Sequence, residues 1–197
     1  ALNESETSDY DIQSSARTIA VDGDVNLIAN GDVRFAFQGN GGLASGTLLD
    51  IVSRTRGISI TNSGPAPALA ASLEAPDISL QAFQGDISAE AGTLLAASGS
   101  IDLDAISGNV RLANARAGGR IAVRAGVGEG AVPVDATMTG TVTSNGGITI
   151  EAGRDVIIAP GARLVADQYL TIASGDDIII GSGALVRAAN NPPDESG

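Results

Sequence analysis

The side chains able to do chemistry in this sequence are almost all carboxylates. Asp and Glu number 23 against 11 basic residues, and there is no His and no Cys. Every basic residue is Arg, so imidazole, amine and thiolate chemistry are all missing. Carboxylates alone support two kinds of work. A pair held ~5 to 9.5 Å apart can hydrolyse a glycosidic bond, and a cluster of six or more oxygens can hold calcium. The pair best placed for a cation is Asp155 and Asp177, 22 residues apart in matching contexts. The alternative is that both are solvated turn residues, and the calcium-binding nonapeptide with its GGxGxD core is absent. Asp24, Asp32, Asp86, Asp155 and Asp177 each precede a short aliphatic run, where Asp is favoured for turn chemistry. The five aromatics, Tyr10, Phe35, Phe37, Phe83 and Tyr169, are too few for sugar-stacking platforms. Thr149 and Thr171 recur at one position, but Asp102 and Ala122 precede them there, so no threonine array of the ice-binding kind forms. The GNGG stretch at 39–42 lacks the Lys of a phosphate cradle. No catalytic, cofactor-binding or metal-ligating residue is assigned.

What positions these residues is a repeat. A turn residue, a polar residue, Val or Ile, any residue and an aliphatic recur as GDVNLIA at 23–29, GDVRFAF at 31–37, PDISLQA at 76–82, GDISAEA at 85–91, GSIDLDA at 99–105, GGITIEA at 146–152, RDVIIAP at 154–160 and DDIIIGS at 176–182. Each phrase reads as a short alternating strand bounded by turns. Ile148, Val156 and Leu164 return as Leu170, Ile178 and Leu185 after 22, 22 and 21 residues. Three strands therefore make one coil of about 22 residues, and the expected fold is a right-handed parallel β-helix. An earlier triplet, Ile78, Ile87 and Leu94, returns as Ile101, Val110 and Ala115 or Ala117.

Aligned coils give columns. Ile78, Ile101, Ile121, Ile148 and Leu170 should point inward, as should Leu80, Leu103, Val123, Ile150 and Ile172. Ala82, Ala105, Ala125, Ala152 and Ser174 suit a corner. The second strand gives Ile87, Val110, Val156 and Ile178, then Ala89, Leu112, Ile158 and Ile180. Outward, Gln81, Asp104, Arg124, Glu151 and Ala173 alternate in charge through the middle, and Arg154 is expected to pair upward with Asp176.

The rhythm weakens over 38–55 and 126–145, the second read as a coil with enlarged turns, and 63–76 carries three prolines that suit a turn or an edge. The sequence divides into a polar N-terminal segment at 1–16, a β-helix at 17–189 and a linker or disordered tail at 190–197. About seven or eight coils are expected. Neither end shows an amphipathic capping helix, which points to coils taken from a longer stack. The first 11 residues lack the basic and apolar regions of a signal peptide and read as a mature N-terminus or a cut from a longer chain. Hydrophobic residues make up 43 % with only 3 % aromatic, a composition for narrow aliphatic layers. A net charge of −12 with scattered Arg speaks against a nucleic-acid partner, and no apolar run is long enough to span a membrane.

The phrases GDVNLIANGDVRFAF and GGITIEAGRDVIIAPGARLVADQYLTIASGDDIIIGSGALV, the latter at 146–186, resemble the repeats of filamentous haemagglutinin-type exoproteins, the adhesins of bacterial two-partner secretion. The likeness is one of repeat style over roughly 20–190. The family's N-terminal secretion domain, with its NPNL and NPNG-like motifs, is not visible, so the resemblance implies an internal or distal segment. It implies a secreted or cell-surface location and adhesion to a host or bacterial surface protein or glycan. Neighbouring coils of a filament and an outer-membrane transporter are the other implied partners. The expected function is a structural or adhesive module without catalysis, the rival being a carbohydrate-active β-helix enzyme or a glycan-binding module.

Overall fold

The computed structural model describes residues 10–15, 18–63, 72–128 and 130–189. They form an all-β parallel solenoid of about seven turns with three sheets. Sheet A, of eight strands, runs from Tyr10–Ser15 through Val33–Gln38, Ile58–Ser63, Ile87–Ala89, Val110–Leu112, Ala136–Met138 and Val156–Ile158 to Ile178–Ile180. Sheet B, also of eight, runs from Thr18–Val21 through Gly42–Ser45, Leu73–Ala75, Leu95–Ala97, Ala115–Ala117, Thr141–Ser144 and Arg163–Ala166 to Leu185–Ala188. Sheet C has seven: Val25–Ala29, Leu48–Ser53, Asp77–Ala82, Ile101–Ala105, Ile121–Ala125, Ile148–Ala152 and Leu170–Ser174. Every strand pairs only with its equivalents one coil before and after, always in parallel, so backbone bonds run along the stack.

The expected inward columns are the observed registers. Ile101 lies over Ile78 and under Ile121, then Ile148 and Leu170 follow, and the Leu80 to Ile172 column runs beside it. From Ile78 to Ile148 these aliphatics are at most 1 % exposed. Short branched side chains suffice because opposing sheets of a narrow coil leave little room between them. Sheet A strands lengthen to six residues at Tyr10–Ser15, Val33–Gln38 and Ile58–Ser63, and there Phe35 and Phe37 are buried with stacked rings 5.9 Å apart. Coil corners need residues without side chains. A Cβ on Gly108 would stand 2.1 Å from the Gly85 carbonyl oxygen directly below, so the two turns touch backbone to backbone.

Several details differ from expectation. The third strand starts one residue later than read: Leu95 lies against Ala115, while Leu94 stays in the turn, its carbonyl accepting the Ser72 and Leu73 amides. Likewise Leu164 stacks on Val186, and Leu185 on Arg163. The second-strand column contains a further member, Ala136 with Met138, between Val110 and Val156. It belongs to the segment 126–145, where the enlarged turn ends before Ala136. The weak stretch 38–55 holds two regular strands, Gly42–Ser45 and Leu48–Ser53. Parallel pairing takes in Tyr10–Ser15, inside the segment set apart as polar. The tail at 190–197 and most of the proline-bearing stretch at 63–76 lie outside the described residues.

Candidate functional site

The chemistry-bearing residues fall on two surfaces: the turn that joins sheet C to sheet A, and the outer face of sheet B.

At the turn, the acidic positions form a short run from Asp32 to Gly57 and a longer one from Asp86 to Asp177, separated because Gly57 has no side chain to accept the next amide. The Gly57 amide donates to Asp32 Oδ1 at 3.1 Å, Asn109 to Asp86 at 2.7 Å, Asp135 to Asn109 at 3.0 Å, Asp155 to Asp135 at 3.3 Å and Asp177 to Asp155 at 3.0 Å. Each side chain thus accepts the backbone N–H of its own equivalent, or near equivalent, one coil on. The turn leaves that N–H without a sheet partner, and an unpaired amide is costly, so Asp or Asn is favoured at this position, which Gly57 fills in one coil without an acceptor. Asp155 and Asp177 therefore meet through a carboxylate-to-amide bond. Among the described residues no three Asp or Glu groups converge as metal ligands. Asp24 sits on a different turn and is bonded by the Thr47 hydroxyl.

Stacked carboxylates repel, and arginines offset this. Arg154 grips Asp135 with two guanidinium nitrogens and lies 3.8 Å from Asp155, and Asp32 is flanked by Arg34 and Arg56. Arg154 therefore reaches toward the preceding coil rather than pairing upward with Asp176, because the Asp135 carboxylate presents both oxygens to its fork. The Arg154 hydrogen bonds hold the Asp135 carboxyl below its ordinary range, helped by the Asp155 amide and opposed by partial burial, and Asp135 in turn raises Arg154. On sheet C the alternating column is in register as expected, with Arg124 and Glu151 3.9 Å apart.

The outer face of sheet B carries an open groove of about 570 Å³. Its outward column reads Ala44, Glu74, Ala96, Arg116 and Thr143, one residue per coil. Ala96 is only 5 % exposed and forms the floor, while Glu74 and Arg116 stand exposed on either side, two coils apart. Neither is in an ion pair with a described residue. Ser98 and Asn145 form the wall along the turn. A smaller hollow of about 340 Å³ on sheet A includes Ser88, Arg111, Thr137 and the Arg154–Asp135 pair. These surfaces offer fixed hydrogen-bonding groups, two opposite charges and small-residue floors, the means of recognition.

Sequence reasoning placed no residue in the groove. Setting the third strand at Leu94 turns Ala96 inward, and a one-residue slip exchanges the faces of a strand. The recoverable signal was the 22-residue step from Glu74 to Ala96 together with the Ala115 and Ala117 pairing. Asn109 and Asp135 were also missed as ladder members, although they follow Asp86 at the same point of successive coils.

No family model, curated protein or solved structure matches this chain.

Proposed function

We propose that this chain is a structural and adhesive module of a bacterial surface-exposed or secreted filamentous adhesin, of filamentous haemagglutinin type, that attaches to host cells or to other bacteria and has no catalytic activity of its own. The observation that carries the reading is the engagement of the acidic residues. Asp86 and Asp155 accept backbone amides of the next coil, and Asp32 and Asp135 also pair with arginines. That leaves the rod with regular, solvent-facing surfaces for recognition. Its partner is a surface protein or glycan, met at the groove between Glu74 and Arg116. The repeat style supports export, with an outer-membrane transporter as the partner in secretion.

Attachment of beads coated with the purified chain to epithelial and bacterial cells tests this, with hydrolysis of acidic and neutral polysaccharides assayed in parallel. Attachment well above that of uncoated beads is expected, reduced about tenfold by Glu74→Arg with Arg116→Glu, which costs a ligand two charge contacts. Release of sugar from any polysaccharide, or attachment no greater than that of uncoated beads, contradicts it.

A further inference from the structure

Three asparagines in the chain precede a glycine: Asn30, Asn40 and Asn145. In such a pair the glycine amide nitrogen can attack the side-chain carbonyl carbon of the asparagine, because glycine carries no side chain to obstruct the approach. The new N–C bond closes a five-membered succinimide, and the side-chain nitrogen leaves as ammonia. Water then opens the ring at either carbonyl. One opening gives aspartate, and the other gives isoaspartate, in which the main chain runs through the former side chain. In an unfolded chain the three sites are near equals, but the fold separates them.

Asn145 is exposed, yet its nucleophile is held. The Gly146 amide donates to the Gly119 carbonyl of the preceding coil at 3.0 Å and to the Ser144 hydroxyl oxygen at 3.1 Å. Asn30 is half-buried and bonded to the next coil. Its carbonyl accepts the Thr55 amide at 3.0 Å and the Thr55 hydroxyl, Arg54 reaches its Oδ1 at 3.4 Å, and the Gly31 carbonyl accepts the Ser53 hydroxyl at 2.7 Å. Asn40 differs from both. It is exposed in the turn between Val33–Gln38 and Gly42–Ser45, and neither its side chain nor its own amide and carbonyl make a hydrogen bond among the described residues. The Gly41 amide donates to the Gln38 carbonyl of the same turn at 3.1 Å. Beside it Gly39, at φ +60°, borders open space, since a Cβ there would meet nothing within 4 Å. The turn is tied to the next coil by the Asn62 side chain, which donates to the Gly39 carbonyl at 3.0 Å.

We propose that Asn40 is a modification site, at which the folded chain deamidates and isomerises ahead of Asn30 and Asn145. Attack at Asn40 needs one bond within a turn to open, whereas at the other two sites bonds between coils must break. The product carries one more negative charge and, as isoaspartate, one more main-chain carbon in the turn from sheet A to sheet B. The strands on either side keep their own pairing, so the change marks the molecule without dismantling the coil.

The folded chain is incubated at mildly alkaline pH, and timed digests are read by mass for conversion of amide to acid and by isoaspartyl methyltransferase labelling for the rerouted product. Asn40 should convert at least about tenfold faster than Asn30 or Asn145, the effect of a modest difference in opening cost on a rate. In concentrated urea the three rates should converge. Asn40→Gln, whose longer side chain does not form the five-membered ring, should lose the early methyl labelling. Conversion of Asn30 or Asn145 as fast as that of Asn40 overturns the proposal, as does an Asn40 that stays an amide in the folded chain. The same preference for Asn40 in urea, or undiminished labelling of Asn40→Gln, overturns it as well.

Discussion

A carboxylate in this chain does the work of a backbone partner. At Asp135 one side chain accepts a coil-to-coil amide and also neutralises Arg154, and its depressed pKa gives that role a pH signature. The folded state prefers the ionised form, so the contribution to stability is present above the ordinary carboxylate range and fades as pH falls through the lower folded value. Asp135→Asn should melt about 2 °C below the parent at neutral pH, since exposed pairs contribute little. That gap should close in melts recorded well below about pH 4. The five acidic turn residues were legible as turn formers from the phrase they share. The bond that Asp32, Asp86 and Asp155 make to an amide of the next coil was not, because it exists only once the coils are in register.

At the scale of the strand, stability comes from the inward ladders, and a side chain counts according to the coils on both sides of it. Leu103 is 1 % exposed between Leu80 and Val123, whereas Ile180 has a coil on one side only. Leu103→Ala should therefore cost about 3 kcal/mol in denaturant unfolding, and Ile180→Ala under about 1 kcal/mol. Similar losses at both sites would mean that the last coil is covered. Sheets A and C were readable because Val, Ile and Leu alternate there with polar residues at steps near 22. Sheet B was not, since Leu94, Leu95, Ala96 and Ala97 are all buried and their sizes do not distinguish the faces. The Ala136–Met138 strand escaped for a similar reason, as neither end residue is β-branched and the enlarged turn before it displaces the period.

As a whole, the molecule is a stack whose coils are joined by three hydrogen-bonded sheets, an aliphatic interior and an acidic turn ladder. The sheets and interior set the shape, and the ladder satisfies amides that the sheets leave over. Because the acidic residues are engaged in this way, the rod's outer faces remain available for recognition, which is the basis of the adhesive reading. The decisive test separates an acceptor from a charge. Asp86 and Asp155, which each accept an amide of the next coil, are replaced together by Asn in one variant and by Ala in another, and thermal unfolding of both is compared with the parent. Asn keeps the oxygen that accepts the amide, as Asn109 already does in the native ladder, and removes the charge. The ladder account predicts that the Asn variant melts within about 2 °C of the parent, while the Ala variant falls by about 5 °C or more. If the Asn variant falls as far as the Ala variant, the negative charge itself is what the fold requires, as in a cation site, and the account is wrong.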